Sequence, residues 1–179
     1  RALKLFKQMQ LKQKVEQTAK ELEKLAQKQE DLAEKTEENK DVEKNKGLKK
    51  EQEKLTKEFE EKKEKMKDIE KLSKELRKDM DSQTEEQDKA SEEQKKAEEQ
   101  LDKNENSKSG KSQKKAAKSM RSMAAKMSAQ MQSAEMKQMD IDMEALRALL
   151  ENLIKLSFDQ EAAMKKLKGL SRTDPRFVE

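Results

Sequence analysis

Ser109-Gly110-Lys111-Ser112 has the ending of a phosphate-binding loop, in which glycine-opened backbone amides wrap a nucleotide phosphate and the lysine supplies charge. The full pattern also needs glycine at 105, where Glu105 stands, and a preceding strand that this sequence does not offer. A hairpin turn is the favoured reading. Asp140, Asp142, Glu144 and Glu151 fall at offsets one, three, five and twelve of a calcium loop. Ala145 takes the place of the turn glycine, and on a helix those carboxylates diverge, so a solvated acidic face is expected there. With no His, Cys or Tyr in the chain, and carboxylates that lie on surface positions, no catalytic residue, metal or cofactor is assigned. The expectation is a protein that is not an enzyme.

Two further constellations could bind. Met120, Met123, Met127, Met131, Met136, Met139 and Met143 recur at helical spacing, and flexible thioethers adapt to varied apolar partners. The first six form the candidate partner-binding surface. The competing reading, weighted more heavily, packs them against an Ala- and Gln-lined neighbouring helix. Lys108, Lys111, Lys114, Lys115, Lys118 and Arg121 could meet phosphates, but no aromatic residue lies among them to stack on bases. Specific nucleic-acid recognition is therefore not expected.

Composition dictates what carries these side chains. Charged residues make up 46% of the 179 positions, with Lys and Arg nearly balanced by Asp and Glu at a net charge of +4. Good helix formers dominate, β-branched residues are scarce, and only three Gly and one Pro interrupt them. The fold class expected is all-α, built as a coiled coil. No run of 18 apolar residues is present to span a bilayer, and no signal peptide opens the chain. Arg1 in place of an initiator Met, inside what already reads as helix, suggests an internal piece of a larger protein.

Leu11, Val15, Thr18, Leu22, Leu25, Gln29, Leu32 and Thr36 alternate steps of four and three, the 3.5 mean spacing of a supercoiled seam. They define a first amphipathic helix over 1–46, ending near Gly47 as a left-handed cap. A second seam runs over 48–103 through Leu48, Gln52, Leu55, Phe59, Lys62, Met66, Ile69, Ser73, Leu76 and Met80, then through Gln87, Ala90, Ala97 and Leu101. Residues 104–111 read as a hairpin loop, 112–169 as a third long helix, and 170–179 as a linker and the start of a further helix.

Folding the chain at that loop sets Leu48 against Leu167, Phe59 against Leu156, Met66 against Leu149, Ile69 against Leu146, Leu72 against Met143 and Leu76 against Met139. It also lays the acidic stretch 84–102 against the basic stretch 103–126. Leu146, Leu149, Leu150 and Leu153 belong to a face wider than one seam, so the first helix is expected to fold back near Gly47 and cover it; without that reversal the first two helices form one long kinked rod. The architecture predicted is an antiparallel coiled-coil hairpin with a three-helix bundle at its base.

The segments Ala26-Gln27-Lys28-Gln29-Glu30-Asp31-Leu32-Ala33-Glu34-Lys35-Thr36, residues 142–153, Leu156-Ser157-Phe158-Asp159-Gln160-Glu161 and Arg172-Thr173-Asp174-Pro175-Arg176-Phe177-Val178 resemble a family of large uncharacterised Bacteroidetes envelope proteins. The resemblance implies a membrane anchor and small domains ahead of the coil, with the coil on the periplasmic side of the cell envelope. Members are sometimes labelled ATPases, but the residues here carry no nucleotide motif and no catalytic residue transfers from the family.

These readings favour a structural or interaction segment, an arm that docks or spaces protein partners and can form a homo-oligomer, touching membrane only through segments outside the chain. The alternatives are a chaperone-like module gripping apolar clients with its methionines, and an accessory coil of an ATP-driven machine whose motor lies elsewhere.

Overall fold

A computed structural model describes residues 2–78 and 80–168. Helix α1 spans Ala2–Glu38, α2 spans Asn45–Glu75, α3 spans Thr84–Asp102 and α4 spans Asn106–Lys168, with a 3₁₀ turn at Val42–Lys44. The chain is all-α. It divides into two compact units, the first reaching Ala134 and the second beginning at Glu135.

In the first unit each helix runs opposite to its neighbour. Lys7 pairs with Glu75 and Lys28 with Glu58, both at 2.7 Å, tying α1 to α2. Lys49 to Asp102 and Thr56 to Glu98, each 2.7 Å, tie α2 to α3. The start of α4 returns along α3 and α1: Ser109 donates to the Ala97 carbonyl at 2.9 Å, and Lys114 meets Glu37 at 2.7 Å. Arg121 forks onto Glu23 at 3.2 Å, Gln27 at 3.0 Å and Glu30, a planar arrangement that suits guanidinium. The result is an up-down-up-down four-helix bundle.

The 3.5-residue seams read from the sequence are the interior of this bundle. Leu11, Val15, Leu22, Leu25, Leu32, Phe59, Met66, Ile69, Ala90, Leu101 and Met120 join one buried cluster. Hairpins and a bundle are present as expected, but they are assembled differently. The helix expected over 48–103 is two helices, because the chain reverses between Glu75 and Thr84. That reversal lays α3 and the first part of α4 into the groove that the expected pairing reserved for residues 139–167. Phe59 is accordingly buried within the first unit while Leu156 is 53% exposed, and Ile69 is buried while Leu146 is 62% exposed. The pairs from Leu48/Leu167 to Leu76/Met139 are replaced by packing inside the bundle.

The reversal closes without glycine. Arg77 adopts φ 53°, its amide donates to the Lys74 carbonyl at 3.0 Å, and the Lys78 amide donates to Ser73 at 2.9 Å. These two bonds form a Schellman motif, which normally recruits Gly at the left-handed position. Asn104 does the same at the end of α3 with φ 58°, where its short polar side chain tolerates the conformation. An Arg77→Gly variant is therefore expected to gain about 1 kcal/mol of stability, read as a raised urea midpoint with an unchanged slope.

The α1–α2 reversal sits at Asn39–Asp41, where Asp41 caps the 3₁₀ turn by accepting from the Glu43 amide at 3.0 Å. Gly47, expected as the cap, lies inside the first turns of α2 instead. The expected loop 104–111 shortens to Lys103–Glu105, with Gly110 already helical. A Cβ at Gly110 would overlap the Glu37 side chain, so its absence lets α4 pass close to the last turn of α1. Four of the five asparagines gather at this end: Asn39 donates to Asn45 at 2.7 Å, Asn45 to Asn104 at 2.8 Å, and Asn106 to the Asn39 carbonyl at 2.7 Å. They latch one interhelical turn to the other.

Each helix also contributes one fully buried glutamine to a single layer. Gln29 and Gln52 exchange amide bonds at 2.6 and 3.2 Å, Gln94 donates to Gln29 at 3.0 Å, and Gln113 donates to Gln52 at 3.1 Å. The Gln94 and Gln113 carbonyl oxygens are buried without partners, so a layer of amides that bond one another only when all four helices are in register specifies the alignment at some expense in stability.

One ionic group is embedded beside this core. Glu21 accepts from Lys65 at 2.6 Å and Lys62 at 3.0 Å, and Lys62 occupies a seam position of α2 with its side chain 15% exposed. Hydrogen bonding from Lys65, then from Lys62 and Gln17, outweighs the cost of burial and holds the Glu21 carboxyl down at about 2. A depressed folded-state pKa stabilises above the unfolded value near 4.5 and is lost as pH falls toward 2. Glu21→Gln is expected to cost about 1–2 kcal/mol at pH 7, with the difference from the parent shrinking between about pH 5 and pH 2. Urea titrations across that range check it.

Candidate interaction surface

The second unit carries the last part of α4. Its described residues, 135–168, are helical and, apart from half-buried Glu135 and Gln138, exposed. Leu, Met, Ala, Glu and Lys make this a strong helix-forming stretch, and Lys165, Lys166 and Lys168 in the last turn oppose the partial negative charge of the carbonyl end. Met139, Met143, Leu146, Leu150, Leu153, Met164 and Leu167 fall on a heptad stripe, with Ser157 and Gln160 at the intervening positions. Leu149, Ile154 and Leu156 widen it. Leu146, Leu149, Leu150, Leu153, Ile154 and Leu156 are about half to two-thirds exposed. The stripe is about 42 Å long at 1.5 Å per residue. A contiguous apolar face of this size is a candidate interaction site, since amphipathic helices owe most of their stability to packing of that face.

The flanking charges are arranged unevenly. Glu135, Asp140, Asp142 and Glu144 crowd the beginning of the stripe beside one base, Lys137, whereas Lys165, Lys166 and Lys168 close it. Within the helix Gln138 donates to Asp142 at 3.0 Å and Glu161 pairs with Lys165 at 2.9 Å.

The candidate methionines split between the two units. Met120, Met123, Met127 and Met131 are buried in the bundle core, so they pack against the other helices and are not available to a partner. This corrects the client-gripping assignment for those four. Met136 and Met139, at 69% and 67% exposure, lie on the open part of α4. The leucines that the sequence assigned to holding the base of a hairpin are the larger share of the exposed face.

The basic stretch meets acids of the bundle. Besides Lys114 and Arg121, Lys108 pairs with Glu105 at 2.9 Å, Lys115 lies 3.9 Å from Glu93, and Lys126 contacts Glu86. The phosphate-loop imitation lies in the opening turns of α4 rather than in a hairpin turn, with Ser109 buried. Asp140, Asp142, Glu144 and Glu151 sit on one continuous helix, and among the described residues no group of three or more metal-binding side chains converges. A surface groove beside the α1–α2 turn is walled by Lys35, Glu38, Lys40, Asp41 and Lys44, charges of both signs, together with Leu48. A second, smaller exposed patch is formed by Leu3, Leu5, Phe6 and Met9 at the start of α1.

Two features escaped sequence reasoning. The glutamine layer was visible only in part, as Gln29 and Gln52 at seam positions. The reversal before α3 had a signal in Ser82-x-x-Glu85 and Thr84-x-x-Gln87, both of the pattern that caps helix beginnings. No protein-family model, curated protein or solved structure matches the chain.

Proposed function

We propose that this chain is a non-catalytic interaction segment, in which the four-helix bundle is a self-contained anchor and residues 136–167 of α4 are a docking strip for a helical partner. The observation that carries it is the exposed heptad stripe centred on Leu146, Leu149, Leu150 and Leu153. Apolar side chains at 3.5-residue spacing complement another helix rather than a small ligand. Among the described residues no helix is long and apolar enough to cross a membrane. The setting belongs to the same proposal and rests on the family resemblance alone: a bacterial envelope protein, anchored by segments outside these residues, whose coil docks or spaces protein partners.

A photoreactive amino acid at Leu150 is expected to give a covalent adduct in living cells, while the same group at Glu61, on the outer face of the bundle, gives none. Equal labelling from the two positions, or none from Leu150, overturns the docking assignment.

A further inference from the structure

We propose that the partner of the strip is the same strip of a second copy of this chain, paired antiparallel about a two-fold axis near Ile154; the inference rests on the docking reading above and names its occupant.

Charge decides the orientation. Residues 135–144 hold four acids and one base, and residues 162–168 hold three bases and no acid. A parallel pair stacks acid on acid at one end and lysine on lysine at the other. An antiparallel pair sets each acidic end against a basic one. One flanking column sharpens this: Asp140, Arg147, Ile154, Glu161 and Lys168, spaced by seven, read negative, positive, apolar, negative, positive. Reversed upon itself the column is complementary, bringing Asp140 to Lys168, Arg147 to Glu161 and Ile154 to itself. Flanking positions of this kind select partner and orientation in coiled coils.

The stripe itself fits the same axis. About Ile154 the apolar positions Leu146 and Met143 meet Met164 and Leu167 of the other copy, while the small and polar positions Ser157 and Gln160 meet Leu153 and Leu150. The other face argues against a lipid surface. Glu144, Glu151 and Asp159 alternate there with Lys155, Lys165 and Lys166, whereas helices that lie on anionic membranes carry a basic polar face.

The chain has no cysteine, so single spin labels can be placed cleanly. Lys155→Cys and Lys137→Cys put labels on the outward side of the stripe, clear of the contact. In the antiparallel pair the labels at 155 lie roughly 20–25 Å apart across two packed helices, and those at 137 roughly 50 Å apart along them. Sedimentation equilibrium on the whole chain is expected to give a dimer. Arg147→Glu is expected to raise the dimer dissociation constant about tenfold, and Arg147→Glu combined with Glu161→Arg to restore it, since only the antiparallel pair brings these positions together. Short distances from both labels, or a monomer at all concentrations, overturn the inference. If the chain is monomeric while the photoreactive group at Leu150 still captures a different protein, the docking reading stands and self-pairing falls; if neither occurs, both fall.

Discussion

Phe59→Ala is expected to remove about 3–5 kcal/mol from the bundle, the loss typical of a fully buried aromatic side chain whose cavity cannot collapse. Phe59 is completely buried on α2 within the cluster that all four helices share. Domains of this size are stable by about 5–15 kcal/mol in total, so the variant should melt well below the parent and be partly unfolded near 37 °C. Leu156→Ala is the matched control. If Phe59 packed against Leu156, the two truncations would cost comparable amounts; with Leu156 exposed, the second variant leaves the urea transition of the bundle within about 0.5 kcal/mol of the parent. Equilibrium unfolding of the pair reads the difference directly.

Gln29→Leu is the second large effect. Gln29 donates to Gln52 and accepts from both Gln52 and Gln94, so the substitution strands the buried Gln94 amide nitrogen and strips the Gln52 amide of its bonds to α1, leaving it only Gln113 and Thr56. Each stranded group costs about 1–3 kcal/mol, and about 3 kcal/mol is expected for the variant after the gain from the leucine is set against it. Replacing Gln29, Gln52, Gln94 and Gln113 together removes donors and acceptors alike. That chain is expected to melt higher than the parent but to lose its single alignment, seen as broadened amide resonances or mixed oligomers. A single substitution that is harmless, or a fourfold one that keeps sharp spectra, removes the alignment role from the layer.

Much of this architecture was written in the spacing of apolar residues. The seams at Leu11 to Thr36 and Leu48 to Met80 were legible because an alternating step of four and three has one physical meaning, a helix face against other helices. Their partners were not. A seam states that a residue is covered and leaves open by what, and one heptad stripe matches another at any offset of seven. The acidic 84–102 and basic 103–126 stretches were matched correctly, as the Glu86–Lys126 and Glu93–Lys115 contacts show, because charge distinguishes partners that leucines cannot. The turn before α3 was hidden for a local reason: Arg77 and Gln83 adopt left-handed backbone without the glycine that announces it. The exposed strip of α4 was legible as apolar and unusually wide, and was assigned to the interior because a helix face of that composition ordinarily lies there.

Among the described residues every buried core residue lies before position 135, and the strip proposed to dock a partner lies after it. A chain ending at Ala134 tests this most directly. It is expected to unfold cooperatively with a stability within about 1 kcal/mol of the full chain, and to lose both the Leu150-centred contact and self-association. Loss of cooperative folding on that truncation would mean that residues 135–168 complete the core, and would contradict the division of α4 between a packed half and a presented one.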